Sequence, residues 1–422
     1  MPNNIKTYIK RYLTCFFSVA LFISGCSDVD TDRETEIQSD DRGAVLLISI
    51  DGLMTEYMER NETPNLDWIA RRGVLAESME MVFPTKTFPT HYSIVTGLYP
   101  ENHGIISNSF RDYELDALFS YGPPDNGPED DLWWGGEPIW VTAENQSQTA
   151  ATMFWPGSDS EIKGVRPTRF KDYDGSIPNL ARIDTVLSWL DPSGDVQADF
   201  ATLYFSDVDS YGHRYGPNSE EVNNMVEETD QWIGYLLERM QETGLEERLN
   251  LIIVSDHGMA ELSDERLIFL DDLIDMENVD IVDWTPVAMI RPEEGKTQEV
   301  YEALKENEQN FTVYLREELP DVYRFREHYR IPDIIMIADL GYTITTHSFY
   351  NQRGISAGNH GYDHRLPEMH GFFLAKGPAF LTDEQTGTVR AIHLYELMTY
   401  ILGLEPAIND GVLDEIRHIL NE

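Results

Sequence analysis

Three unbroken apolar runs, each stopping at an acidic side chain, dominate the pattern of this 422-residue chain. Ala44 to Ile50 leads into Asp51-Gly52, Phe200 to Phe205 into Asp207 and Asp209, and Leu249 to Val254 into Asp256-His257-Gly258. A short run without polar alternation predicts a strand covered on both faces, as in a parallel sheet. Helical spacing fills the intervals. Thr63-Pro64 opens one helix, with Leu66, Ile69 and Ala70 inward and Gly73 as its stop. Met225, Ile233, Leu236, Leu237 and Met240 mark a packing helix between Val222 and Leu245, closed by Gly244.

Residues 261–345 break this rhythm and read as an insertion of α+β character, with a helix from Thr297 to Asn307 and a Tyr- and Arg-rich stretch from Tyr314 to Tyr329. The chain returns to the sheet at His370 to Pro378 and adds a helix from Ala391 to Leu402. The expected fold is α/β, a mostly parallel central sheet flanked by helices. Such sheets place ligands outside the carboxyl ends of their strands. Acidic residues from three distant strand ends can therefore converge.

The first residues follow a different logic. Lys6, Lys10 and Arg11 precede an apolar stretch from Tyr12 to Ile23, too short for a comfortable membrane span, so residues 1–26 read as an export signal. Phe22-Ile23-Ser24-Gly25-Cys26 resembles the lipobox of bacterial lipoproteins, which implies cleavage before Cys26 and lipid attachment there. In a Gram-negative bacterium, Ser27 after the cysteine favours the outer membrane. Residues 27–43 are acidic and polar, a flexible tether to a catalytic domain at 44–422.

Composition narrows the chemistry. The formal net charge of −44 excludes a stable nucleic-acid complex as the expected partner, because phosphates are repelled wherever no local cation intervenes. Cys15 would leave with the signal and Cys26 would carry lipid, so a metal in the mature chain must be held by nitrogen and oxygen. About 380 residues remain after the tether, enough for one large α/β domain.

The candidate ligands are Asp51, Asp209, His213, Asp256, His257 and His360, with Thr87 as a hydroxyl nucleophile. Two zinc ions suit this set, since zinc takes imidazole and carboxylate donors, and a pair of ions can clamp both oxygens of a phosphoryl displacement. Thr87 lies just before the apolar, helix-like Tyr92 to Val95, where the helix dipole and a metal would both favour its alkoxide. His360 sits between Gly358 and Gly361, glycines that let backbone approach a ligand. His91, His103, His364 and His370 stay outside the ligand set.

These residues also carry a family resemblance. Ser49-Ile50-Asp51-Gly52, Lys86-Thr87-Phe88-Pro89-Thr90-His91, the stretch from Thr96 to Asn108, Asp209-Ser210-Tyr211-Gly212-His213, Ser255-Asp256-His257-Gly258 and Gly358-Asn359-His360-Gly361 together resemble the nucleotide pyrophosphatase/phosphodiesterase family of the alkaline phosphatase superfamily. Family members commonly have Asn where this chain has Thr90, a position that is not a ligand.

The resemblance implies an alkaline-phosphatase-like fold and two Zn2+ ions, one held by Asp209, His213 and His360 and the other by Asp51, Asp256 and His257 with Thr87. It also implies a covalent threonyl intermediate, release of nucleoside monophosphates, and Asn108 as the amide that binds a phosphate oxygen. Phe88, Trp155, Asp159 and Tyr173 fall in the implied substrate pocket, with Phe88 and Tyr173 around a nucleobase. The alternatives are a lysophospholipid or choline phosphodiesterase, a phosphomonoesterase, which would need a cationic clamp beside Thr87, and a silent surface lipoprotein that binds through 261–345.

Overall fold

The computed structural model describes residues 43–60, 62–120 and 131–421. The signal segment with Cys26 and the tether up to residue 42 lie outside the described residues. Among the described residues, no helix is long and apolar enough to cross a membrane.

The main sheet uses β1 (Ala44–Ile50), β2 (Val74–Ala76), β3 (Ala150–Met153), β4 (Arg169–Lys171), β5 (Phe200–Phe205), β6 (Leu249–Val254), β7 (Phe373–Lys376) and β8 (Glu384–Thr386). Their order across the sheet is β8-β2-β7-β6-β1-β5-β3-β4. The three acid-tipped runs are thus the three adjacent central strands, β6, β1 and β5, all parallel. β7 alone runs antiparallel to its neighbours β6 and β2.

Alternate side chains of β1 explain why its sequence is apolar but for Ser49, whose buried hydroxyl bonds His91. Val45 and Leu47 enter the core on one face, whereas Leu46, Ile48 and Ile50 enter the core on the other, and all five are fully buried. At about 1.5–3 kcal/mol for each large apolar side chain buried, a strand covered on both faces outweighs its ordering cost without help from its ends. The strand ends are therefore free to carry chemistry.

Six helices matter for the site: α1 (Pro64–Ala70), α2 (Thr87–Thr96), α3 (Asp207–Tyr215), α4 (Glu220–Thr243), α5 (Thr297–Glu306) and α6 (Leu394–Leu402). α4 follows its expected stripe. Ser219 Oγ accepts from Val222 N–H at its start, and Gly244 ends it at φ 72°. α2 differs from expectation in beginning at Thr87 itself, with Lys86 as the capping residue, because the Thr87 to Tyr92 segment is drawn down onto the sheet and buried from Pro89 onward.

The 261–345 stretch contains an antiparallel four-stranded sheet, ordered Val279–Asp283, Val287–Pro292, Ile334–Ala338, Phe311–Leu315, with α5 against it. Val287, Met289, Ile335 and Ile337 belong to the main core. Their neighbours Ala288, Ile290, Ile334 and Met336 form a separate core with Val300 and Leu304 of α5. Period-two alternation thus anchors the insertion to the main body by one face.

Candidate active site

The tips of β1 and β6 and the start of α3 after β5 gather Asp51, Asp256, His257 and Asp209, with Thr87 beside His257. Asp51 N–H donates to Phe205 O at 2.9 Å, and Asp209 N–H donates to Asp51 O at 3.0 Å. Gly52 follows at φ 72°, and a Cβ there would stand 3.0 Å from Asp209 Cα, so only glycine permits this approach. Asp209 and His213 are not at the strand tip but one turn apart on α3, an i,i+4 pair that places both groups on one helix face.

Around His257 Nε2 lie Asp256 Oδ2 at 3.1 Å, Asp51 Oδ1 at 3.2 Å and Thr87 Oγ1 at 3.4 Å. Around Asp209 Oδ1 lie His213 Nε2 at 3.3 Å and His360 Nε2 at 3.7 Å. Tetrahedral ligands about 2.0–2.1 Å from a zinc ion stand about 3.3–3.4 Å from one another. The separations in the two sets, from 3.1 to 3.7 Å, bracket that spacing. Asp209 also lies within 4.8 Å of the donor atoms of Asp51 and His257, so the two sets adjoin.

Hydrogen bonding makes the same point independently. Asp51 Oδ1, Asp209 Oδ1 and Asp256 Oδ2 are buried oxygens without a hydrogen-bond partner. Their sister atoms are satisfied where the structure pairs them, Asp51 Oδ2 by Tyr204 Oη at 2.6 Å and Asp256 Oδ1 by Gly52 N–H at 3.2 Å. The imidazoles are oriented likewise. Nδ1 of His213, His257 and His360 bonds Gly358 O, Gly258 O and Thr85 O at 2.8–2.9 Å, which turns each Nε2 lone pair inward. Partnerless buried carboxylate oxygens beside such nitrogens fit a cationic occupant.

Without a cation the site is electrostatically frustrated. Burial and the neighbouring Asp256 raise the Asp51 pKa, and burial and Asp51 raise that of Asp209 well above the carboxylate range. Burial opposes ionisation of Asp256 too, but His257 and His91 outweigh it and hold its pKa well below the ordinary value. Burial likewise disfavours the His257 imidazolium, yet Asp256 and Asp51 prevail and raise its pKa. Burial and the facing His257 ring, stacked 3.4 Å away, lower that of His360.

Asn108 accepts from Phe88 N–H through Oδ1 at 2.8 Å, which leaves its Nδ2 as the donor for a ligand beside Thr87. Both residues line a cleft of about 590 Å³ together with Phe88, Trp155, Asp159 and Tyr173, so every expected substrate residue is there. Phe88 packs on Phe119 and Trp134, and Tyr173 packs edge-on against Phe154. Trp155 is 95% covered, consistent with its bonding His91 O through Nε1 at 3.0 Å: it braces the floor more than it offers a face.

Sequence reasoning missed Tyr204 and Trp134, both in the cleft wall. Tyr204 lies inside an apolar run, where its hydroxyl gave no signal. The glycines flanking His360 also have another purpose than the expected one. A Cβ on Gly358 would meet Gly212 O at 2.5 Å, and Gly361 needs φ 109°, so they serve chain packing and a turn rather than approach to a ligand. Lys86 turns to Asp283 and does not line the cleft, so it is not the cationic clamp that a monoesterase would need beside Thr87. His91 is wholly buried between Ser49 and Asp256.

Comparison with known proteins agrees with this geometry. Residues 45–363 match the family described as type I phosphodiesterase / nucleotide pyrophosphatase. The bis(5'-adenosyl)-triphosphatase of Mus musculus is 40% identical over 379 residues, 89% of this chain and 81% of that protein. Ectonucleotide pyrophosphatase/phosphodiesterase family member 5 of Homo sapiens is 35% identical over 412 residues, 98% of this chain and 83% of its own. An inactive threonine-to-alanine form of the murine ectonucleotide pyrophosphatase/phosphodiesterase 5, solved in complex with AMP, superposes with a TM-score of 0.86 at 34% identity, covering 90% of this chain and 100% of that one. The chain belongs to the type I phosphodiesterase / nucleotide pyrophosphatase family of the alkaline phosphatase superfamily and is a hydrolase of phosphodiester bonds.

Proposed function

We propose that this enzyme hydrolyses nucleotide phosphodiester and pyrophosphate bonds with two zinc ions and a phosphothreonine intermediate on Thr87, releasing nucleoside monophosphates. The observation that carries the reading is the convergence of three partnerless buried carboxylate oxygens and three inward-turned imidazoles beside one hydroxyl. The relatives' names support the substrate class: one is a bis(5'-adenosyl)-triphosphatase, and another, inactive as its threonine-to-alanine form, was solved with AMP.

Asp51, Asp256 and His257 would hold one ion and Asp209, His213 and His360 the other. Zinc there supplies Lewis acidity, which lowers the pKa of a nearby hydroxyl and offsets charge on a departing oxygen. Thr87 Oγ1 attacks phosphorus, its proton passing to solvent in the cleft. The bond from phosphorus to the leaving oxygen breaks, and its electron pair departs with that oxygen. Asn108 Nδ2 donates to an equatorial phosphate oxygen as charge grows. A water entering beside Asp209 then displaces Thr87 from phosphorus, the threonine recovers a proton, and two inversions give net retention. Phe88 and Tyr173 orient the nucleoside by their ring faces.

The test is hydrolysis of p-nitrophenyl thymidine monophosphate beside p-nitrophenyl phosphate and p-nitrophenyl phosphocholine. Preference for the thymidine ester, lost with chelator and restored by zinc, is expected. Preference for phosphocholine or for the monoester would overturn the nucleotide assignment. Thr87→Ala should abolish turnover with the fold intact, and full activity in that variant would end the covalent mechanism.

Export and tethering through Cys26 form part of the same proposal, supported by the basic, apolar and small-residue succession before that cysteine. Mass measurement of the N-terminal peptide from the membrane fraction should show a diacylglyceryl cysteine. A soluble chain still beginning at Met1 would refute it.

A further inference from the structure

The helix Asn179–Leu190, which follows β4, buries Ile183, Val186, Leu187 and Leu190, and a cation, Arg182, stands at the head of that apolar face. Arg182 is 3% exposed, and its donors meet main-chain carbonyls rather than any carboxylate among the described residues. Nε donates to Ile177 O at 2.9 Å, Nη1 to Tyr204 O at 3.1 Å and Nη2 to Gly175 O at 3.3 Å. A buried charge without a counter-charge is costly, and an apolar side chain of similar volume would fill the space without that cost. What the fork accomplishes is to join two separate segments. Ile177 and Gly175 belong to residues 172–178, the irregular stretch between β4 and the helix, whereas Tyr204 belongs to β5.

The guanidinium carbon also lies 5.1 Å from the centre of the Phe154 ring. Phe154 takes φ 63°, a backbone conformation that a bulky residue keeps only where its surroundings hold it. The same groups surround Tyr173. Its ring meets Phe154 and Tyr204 edge-on, with centroids 5.0 and 6.3 Å away, and a Cβ on Gly175 would come within 3.4 Å of its Oη. Tyr173 is 45% exposed and lies outside any helix or strand, so its place is set by these neighbours. Phe154, Tyr173, Gly175 and Tyr204 line the catalytic cleft, and Arg182 touches Phe154, Gly175 and Tyr204 without lining it.

We propose that Arg182 is the positioning residue for the nucleoside side of the cleft. Its fork fixes Tyr173 opposite Phe88 at a separation that admits one planar base, and so governs affinity for nucleotides without touching them. A lysine would keep the charge but lacks the planar, divergent donors that reach three carbonyls at once. The inference deepens the nucleotide reading above, on which the role of Tyr173 rests, by naming what holds that ring in place.

Arg182→Lys, which keeps the charge without the fork, and Arg182→Gln, which keeps a planar donor without the charge, are compared with wild type on two esters. One is p-nitrophenyl thymidine monophosphate and the other is methyl p-nitrophenyl phosphate, which carries no base. The ratio of kcat/KM for the thymidine ester to that for the methyl ester should fall about tenfold, the order of one lost stacking contact, with the loss in KM. In a Tyr173→Ala background, Arg182→Lys should lower the ratio no further. Hydrogen exchange measured without ligand should quicken in residues 172–178 while β5 and β6 keep their protection. Equal loss on both esters with faster exchange throughout the domain would make Arg182 an ordinary core residue and overturn the proposal. An unchanged ratio, or unchanged exchange in 172–178, would overturn it too. A wild type indifferent to the base would instead strike the nucleotide reading, and exchange would still decide whether Arg182 holds the Tyr173 segment.

Discussion

Asp283, at the end of the first strand of the insertion, pairs with Lys86, the residue immediately before Thr87, across 197 positions of sequence. The same Oδ2 accepts from Ser107 Oγ, the residue before Asn108. One carboxylate thus ties together the two segments that carry Thr87 and Asn108 into the cleft. Lys86 is 9% exposed and Asp283 15% at the side chain, so solvent competes weakly for either charge.

Asp283→Ala should lower kcat on the order of 10- to 100-fold, because displacement of a reacting group by a fraction of its bond length is felt strongly in an oriented site. KM and zinc content should change little. Asp283→Asn, which keeps an acceptor for both partners, should recover part of the loss. Steady-state kinetics with metal analysis decides this; wild-type kcat in the alanine variant would separate the ion pair from placement of Thr87.

If the proposed zinc ions bind, Tyr204 should act through them. Its phenol, kept protonated by burial and by Asp51, donates to Asp51 Oδ2 at 2.6 Å. Tyr204→Phe leaves that oxygen buried without a donor and loosens the carboxylate. Zinc affinity should fall about 10- to 100-fold, read by competition with a chromogenic chelator. An unaltered zinc affinity would limit Tyr204 to lining the cleft.

Metal binding should compete with protons above the usual imidazole range. Before a cation binds, burial opposes the His257 imidazolium but Asp256 and Asp51 hold its pKa well above the ordinary 6.5, so a cation must displace a proton from the ring. Zinc affinity should therefore keep rising with pH beyond the ordinary imidazole pKa and fall as the medium is acidified. Calorimetry in buffers of different ionisation enthalpy should report proton release on loading. Affinity that is flat above about pH 7 would contradict it.

Arg330 should matter for stability rather than chemistry. Its Nε meets Asp112 Oδ2 at 2.6 Å, and its Nη1 donates to Gly104 O and Trp133 O at 2.8 and 2.9 Å, with only 3% of the side chain exposed. Arg330→Ala leaves the Asp112 carboxylate with Tyr329 Oη and the Glu114 and Leu115 N–H groups but no counter-charge, a loss of about 3 kcal/mol in urea unfolding, with kcat per folded molecule preserved. A loss under about 1 kcal/mol would mean that water replaces the guanidinium.

The boundaries of β1, β5 and β6 could be read from the chain because each is a short apolar run that must be covered on both faces, and that requirement is local. Gly244 stopped α4 where expected for a similar reason: helix ends depend on a few neighbouring residues. Asp51, Asp256 and His257 were legible as a group because a ligand set at the ends of parallel strands needs only the strand pattern to place it. Carboxylates and imidazoles are also the residue types that a metal site without thiolates would draw on.

Other relationships had no local trace. Nothing near Tyr204 marks it as the donor to Asp51, since within an apolar strand a tyrosine reads as core. The Tyr- and Arg-rich stretch of the insertion was visible as composition, yet that Arg330 would lock onto Asp112 and that Asp283 would hold Lys86 and Ser107 depended on how the insertion sheet docks by its Val287 and Met289 face. Strand and helix positions follow from periodic burial within a few residues. Partners some 200 residues apart are chosen only when separate elements pack, because the free energy that selects them comes from excluding water between surfaces that the linear order never brings together.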